Sequence, residues 1–292
     1  VTNPNINTKI AEKVMESDQI DMCASFTIAF RDTQISVTHP NVSTEIAQKA
    51  MESDPFKRWI KNCEKVIDRK TIILRGVEIQ TVDMFGPHKV GFIKVKADAY
   101  LVFNGIEVPK AIPGIAFLRG NAVGILVALN CEDGEKYTLL VEQPRIPVGD
   151  VTCLELPAGM IDANDDVKGQ AVSEMEEECM IKLKKSDLIA LTETTMLPSA
   201  GGCDEGIDLY YVERKVTVRE MEDMQGRLTG NKEQGEHIKL HVVPFNTAWK
   251  LSGDAKLLCS MFLYDKVKLS EKSTGGKKGK RIWGRWARHD TL

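Results

Sequence analysis

Between Thr71 and Gln143 apolar and polar residues alternate with the period of two that marks half-buried strands. The pattern predicts strands at Thr71 to Gln80, Val90 to Lys96, Ala99 to Val108 and Ile112 to Arg119. Turns at Phe85-Gly86-Pro87-His88 and Asn104-Gly105 separate them, and Asn-Gly is a strong hairpin signal. Ala122 to Leu129 and Lys136 to Gln143 read as two longer strands joined by Glu132-Asp133-Gly134. Leu154 and Leu156 continue the alternation, Pro157-Ala158-Gly159 breaks it, and Asp165-Asp166 can start a helix. Further on come a strand at Ile207 to Val212, a charged helical stretch at Glu220 to Arg227 and a strand at Ile238 to Val243. Trp249 to Asp265 reads as a closing amphipathic helix, with Leu251, Leu258, Met261 and Phe262 apolar.

The start of the chain is patterned differently. VTNPNINTKIAEKVMESD from Val1 recurs as VTHPNVSTEIAQKAMESD from Val37, each copy placing Thr or Ser before a helical apolar pattern. Two copies fall short of a solenoid. The second copy reads as the lead-in to Phe56-Lys57-Arg58-Trp59, and Phe26 to Val37 between the copies alternates like a strand. A segmentation follows: an extension over 1–57, a small β-domain over 58–119, a second domain over 120–268 and a basic tail over 269–292.

Composition narrows the classes. A chain of 292 residues can bury a core large enough for two units. A formal net charge of −3 gives no global reason to expect nucleic acid or an acidic membrane as partner. Seven cysteines stand singly with no CxxC spacing, which speaks for reduced thiols over a disulfide framework or zinc. The longest apolar run, Ala122 to Leu129, is too short to cross a bilayer. The expected compartment is cytoplasmic, with an organelle as the alternative because the chain opens at Val1 and not at methionine. The tail around Trp283 and Trp286 is basic, a composition shared by solvated chain ends and by segments that bind nucleic acid or anionic lipid; the solvated end is the expectation.

Candidate chemistry concentrates after the Pro-Ala-Gly break. At helical spacing Glu174, Glu177 and Glu178 share one face. Carboxylates that close repel unless divalent cations sit between them, and hard oxygen donors with room for water and phosphate suit Mg²⁺. A solvated helix face is the competing reading. Arg145 could clamp a diphosphate or pair with Glu142 or another acid. Gly201 and Gly202 could let a phosphate approach closely, with Asp204 and Glu205 following, or form a polar turn. Trp59, Phe85 and Phe92 fill a core or stack a base, core being the expectation.

The stretch Leu154 to Ile181, LELPAGMIDANDDVKGQAVSEMEEECMI, resembles the Nudix box in the spacing of Gly159, Asp165, Ser173, Glu174, Glu177, Glu178 and Ile181. Asp165 stands for the usual Glu, Ser173 for Arg and Met180 for Gly. VEQPRIPVGDVTCLELPAGMID and PSAGGCDE are similar to the branch that hydrolyses ADP-ribose and other ADP-sugars. FKRWIKN, VDMFG and the text at Val90 to Asp98 resemble the plant ADP-sugar diphosphatases.

The resemblance implies an α+β fold, an α/β/α Nudix sandwich preceded by a small antiparallel β-domain and an N-terminal helical extension. It implies cleavage of an ADP-sugar such as ADP-glucose or ADP-ribose to AMP and a sugar phosphate, by a homodimer. Glu174, Glu177, Glu178 and the Ala158 carbonyl would hold Mg²⁺ or Mn²⁺, and Arg145, Gly201 and Gly202 would bind substrate. Glu177, Glu178 and Glu205 would be catalytic, with Glu205 the base that activates water. The family's Arg orients the carboxylates through charge-assisted hydrogen bonds, which Ser173 cannot make. Alternatives are a GDP-sugar or dinucleotide substrate, a protein that binds nucleotide without turnover, and an RNA-binding role through the tail.

Overall fold

The computed structural model describes residues 25–68, 70–161, 166–230 and 236–273. The first copy of the repeat, Asp165 and the tail beyond residue 273 lie outside them. Two compact units emerge, Val1–Asn121 with Leu197–Gly206, and Ala122–Met196 with Ile207–Leu292.

In the first unit the stretch read as one strand folds as a hairpin, β1 (Ser25–Phe30) and β2 (Thr33–Thr38). Arg31 takes a left-handed φ of 53° at the turn, so Phe30 faces Thr33. The second repeat copy is the expected capped helix, α1 (Thr44–Glu52), whose N-cap Ser43 accepts from the Ile46 N–H. Next, α2 (Asp54–Val66) runs through position 57, and its Phe56 and Ile60 enter the same core as the strands that follow. β3 (Ile72–Phe85) and β4 (Lys89–Phe103) form a long antiparallel pair. Val90 to Lys96 and the first half of Ala99 to Val108 are thus one strand. The chain reverses at Asn104 and Gly105, both at positive φ, into β5 (Ile106–Ala111), and β6 (Ile115–Leu118) pairs with β4. The sheet is antiparallel except where β2 joins β3 in parallel. Trp59 packs against this core, whereas Phe85 is exposed and meets Phe92 edge to face.

The second unit is organised by β7 (Ala122–Cys131). Val123, Ile125, Val127 and Leu129 face a core with α3 (Val167–Cys179) and α4 (Val218–Met224). Ala122, Leu126 and Ala128 face the other side, against the 3₁₀ turn Phe245–Lys250 and α5 (Ala255–Ser273). Both faces are covered, so the strand is apolar throughout. This is the expected α/β/α sandwich. Counting β8 (Lys136–Arg145), β11 (Ile189–Ala190), β12 (Ile207–Val216), β13 (Leu228–Thr229) and β14 (Ile238–Pro244), its sheet runs β11-β12-β7-β8-β14-β13. β12 lies parallel to β7.

β7 and β8 pair only at Leu129 with Tyr137 and Asn130 with Lys136. Beyond that they diverge. β9 (Asp150–Glu155) takes the edge of β8, and β10 (Ala158–Met160) takes the edge of β7. The Leu156-Pro157 link therefore bridges the opening between them.

The closing helix departs from expectation. Leu251 to Asp254 interrupts it, and α5 buries Leu257, Ser260 and Tyr264 while Leu251, Leu258 and Phe262 are exposed. Leu257, Met261, Leu263 and Val267 pack on this face, and the Tyr264 hydroxyl on it donates to Glu213 (2.5 Å) and accepts from Lys136 (2.8 Å). No helix among the described residues is long and apolar enough to cross a membrane.

Met180 ends α3 in the left-handed region (φ 56°), with its N–H on the Glu176 carbonyl and the Ile181 N–H on the Met175 carbonyl. The helix stops where a glycine would stop it, under backbone strain. Met180 is exposed, so Met180→Gly removes little packing. It should stabilise the protein by about 1 kcal/mol, seen as a higher urea midpoint at unchanged slope; an unchanged or lower midpoint contradicts the strain.

Candidate functional site

The carboxylates are placed by α3. Asp166 caps the helix by accepting from the Gly169 N–H (3.0 Å), while Ala171, Met175 and Cys179 anchor it in the core. Glu174 and Glu178, one turn apart, then face the strand β10. A Cβ on Gly159 would lie 1.9 Å from the Glu174 carboxyl carbon, so the glycine is required by that side chain. The Ala158 N–H donates to Glu178 Oε2 at 3.2 Å. Gln170 Nε2 donates to Glu174 at 2.8 Å. Glu177 is exposed, and its carbonyl accepts from the Gly230 N–H at 3.3 Å.

Glu178 is the unusual group, a carboxyl only 5% exposed. Burial pushes its pKa up to about 8, the charge of Glu174 adds to the rise, and the Ala158 N–H and the Arg145 guanidinium oppose it. Among the described residues no three His, Cys, Asp or Glu side chains converge into a ready metal centre. The hard-oxygen pair beside the main chain of β10 does fit a cation such as Mg²⁺, which takes one or two carboxylates and completes its shell with water and phosphate.

Arg145 reaches the same neighbourhood from the end of β8. Its partner is Glu155 of β9, met through Nε and, at 3.2 Å, through Nη2. The acid considered from sequence, Glu142, instead binds His241 (2.8 Å). Glu155 also accepts from Lys256 Nζ (3.1 Å), which in turn binds Asp254 (2.9 Å). Its carboxyl is held below the usual range because the Arg145 and Lys256 contacts outweigh the large opposing effect of burial. Sequence reasoning missed Glu155, Asp254 and Lys256. The alternation through Leu154 and Leu156 hinted at Glu155; nothing local hints at the other two.

Gly201, Gly202 and Glu205 belong to the first unit. The Phe117 N–H donates to the Gly202 carbonyl at 2.9 Å. The space beside both glycines is open and neither has positive φ, so the fold itself does not demand glycine there. Asp204 uses one oxygen on the N–H groups of Arg119 (2.7 Å) and Gly120 (3.3 Å), and burial raises its pKa. Glu205 pairs with the Arg119 side chain at 3.5 Å. Of the two acids Asp204 holds the loop through main-chain N–H groups, whereas Glu205 is paired with a side chain.

No family model matches the chain. It is 41% identical over 221 residues to Nudix hydrolase 14, chloroplastic, of Arabidopsis thaliana, covering 72% of this chain and 69% of that protein. Shorter matches are a putative nudix hydrolase 2 of Caenorhabditis elegans, 45% identical over 62 residues, and an ADP-ribose pyrophosphatase of Saccharomyces cerevisiae, 36% over 58. These span 21% and 20% of this chain and 27% and 25% of the respective relatives. A crystal structure of an ADP compounds hydrolase aligns over 72% of this chain and 100% of its own, with TM-score 0.48 and 15% identity.

Two outcomes follow from the carboxylate pair. In its raised-pKa state Glu178 keeps a proton that the unfolded chain gives up, so its contribution is whole below about pH 4.5 and is lost as pH rises toward 8. In chelator, Glu178→Gln should match the parent near pH 4 and exceed it by several kcal/mol, on the order of 5 at most, above pH 8; parallel stability curves contradict this. Gly159→Ala should fold normally yet bind Mn²⁺ at least about tenfold more weakly, because its Cβ displaces Glu174. Unchanged affinity would mean that Glu174 holds no metal.

Proposed function

The chain belongs to the Nudix hydrolase family, whose members generally use divalent metal ions, and on that premise we propose that it hydrolyses the diphosphate of ADP-sugars, such as ADP-ribose and ADP-glucose. Water attacks phosphorus, the bridging P–O bond breaks, and AMP and a sugar phosphate leave. The observation that carries this reading is the packing of Glu174 and Glu178 against Ala158 and Gly159 at the start of β10, in a chain similar to an ADP-ribose pyrophosphatase.

Glu174, Glu178 and the Ala158 carbonyl, with Glu177 at the open side, would hold Mg²⁺, or Mn²⁺ in its place. Bound there, the ion neutralises diphosphate charge and lowers the pKa of a water. Arg145 offers a planar fork for a phosphate oxygen, already oriented by Glu155. Gly201 and Gly202 leave room for close approach, and Glu205 accepts the proton of the attacking water. We further read the working form as a homodimer. Its compartment is the cytoplasm or, by the name of the Arabidopsis relative, a plastid.

The test is a panel of ADP-ribose, ADP-glucose, GDP-mannose and diadenosine polyphosphate, with Mg²⁺, with Mn²⁺ and with chelator, products resolved by chromatography. Metal-dependent AMP and sugar phosphate from the ADP-sugars is expected. Glu178→Gln should lose about 10³-fold in turnover while remaining folded. Nucleotide binding without cleavage by the parent would move the protein to a binding role, and preference for GDP-mannose or the dinucleotide would overturn the substrate class.

A further inference from the structure

Lys256, in the first turn of α5, has a side chain only 14% exposed. An ammonium there persists only if its charge is met. It is met twice, by Asp254 Oδ1 at 2.9 Å and Glu155 Oε2 at 3.1 Å. Each acid has a second task. Asp254 turns its other oxygen to the Leu156 N–H at 2.8 Å, and Glu155 binds the Arg145 fork. Two cations and two anions thus form one neutral chain, from the main chain just before Pro157-Ala158 to the Arg145 guanidinium. The Ser252 hydroxyl, bound to the Leu154 carbonyl, fixes the same link from the same side.

Burying three charges and half-burying a fourth is a poor way to gain stability, since well-packed apolar residues of like volume do as well or better. What such a network supplies is direction. A free arginine samples many rotamers, worth about 2 kcal/mol of entropy. Arg145 is instead held through Nε and Nη2, and its side chain remains 42% exposed. Ser173, where the family has an arginine, is exposed and brings no cation to the helix, which places more weight on this one.

We infer that Lys256 and Asp254 are positioning residues for substrate binding: they lock Glu155, and through it aim the Arg145 guanidinium at the substrate diphosphate. The inference rests on the reading of Arg145 as a diphosphate clamp. No part of α5 need touch the substrate for this.

The test is a double-mutant cycle on the full chain with ADP-ribose, following kcat and KM separately. Lys256→Met should raise KM about tenfold with kcat within about twofold, the mark of lost binding common to ground and transition states. Arg145→Ala should do at least as much, and the double variant should be no worse than Arg145→Ala, because both changes break one device. Lys256→Arg should restore most of the loss. Should Lys256→Met fold poorly, Asp254→Asn in the same cycle replaces it. An unchanged KM, losses that add in the double variant, or a loss confined to kcat would overturn the inference. If the parent turns over nothing, the function reading fails, and the same cycle measured as ADP-ribose affinity by calorimetry decides the positioning role: non-additive losses support it, and additive losses or no binding reject it.

Discussion

Taking a carboxylate out of water costs several kcal/mol unless nearby groups replace the hydration it loses. Glu178 is almost fully buried beside a second carboxylate, and much of the second unit is arranged around that cost. The Ala158 N–H is free to reach it because β7 and β8 part after two residue pairs, leaving the link between β9 and β10 to fill the gap. Gly159 lacks a side chain because Glu174 occupies the space where one would be. Ala171, Met175 and Cys179 anchor the adjoining face of the helix in the core, which fixes the rotation that turns Glu178 inward. What the protein groups leave unpaid is negative charge on hard oxygens, the quantity that a divalent cation offsets.

The division of the chain into units also divides the candidate chemistry. Between Leu197 and Gly206 the chain joins the first unit, where Phe117, Arg119 and Gly120 hold the loop by main-chain hydrogen bonds. The metal-binding candidates belong to the sandwich, and the candidate base to the unit that precedes it in sequence. Asp204 and Glu205 are adjacent yet serve different ends, since one is spent on main-chain N–H groups and the other meets only a side chain.

Legibility in the sequence tracks the range of the interactions. The box helix, its acidic start and the Asn104-Gly105 hairpin follow from local spacing and were readable, while the sandwich was an expectation from the family resemblance. The hairpin at Arg31 was hidden because a non-glycine residue at positive φ gives no compositional mark. The buried face of α5 was misread because it is centred on Leu257 and Tyr264, whose hydroxyl finds polar partners in Lys136 and Glu213, and not on Leu258 and Phe262. Glu155 and Lys256 are remote in sequence, so no window of the chain could join them.

Ser173 ties these strands together. An arginine at that place would supply a positive charge one residue from Glu174; a serine on an exposed face supplies none. The Ala158 N–H and the Arg145 charge, both outside the helix, oppose the repulsion between Glu174 and Glu178 without cancelling it, and the Glu178 pKa stays raised. Arg145 can serve there only if something else fixes it, because a carboxylate partner alone would bury an uncompensated charge of its own. Glu155 meets that requirement only with Lys256 behind it, and Lys256 only with Asp254. The four-residue ionic chain is neutral as a whole, so what it gives the box is a fixed place for the Arg145 guanidinium at the end of β8, held by Lys256 from the helix layer behind the sheet.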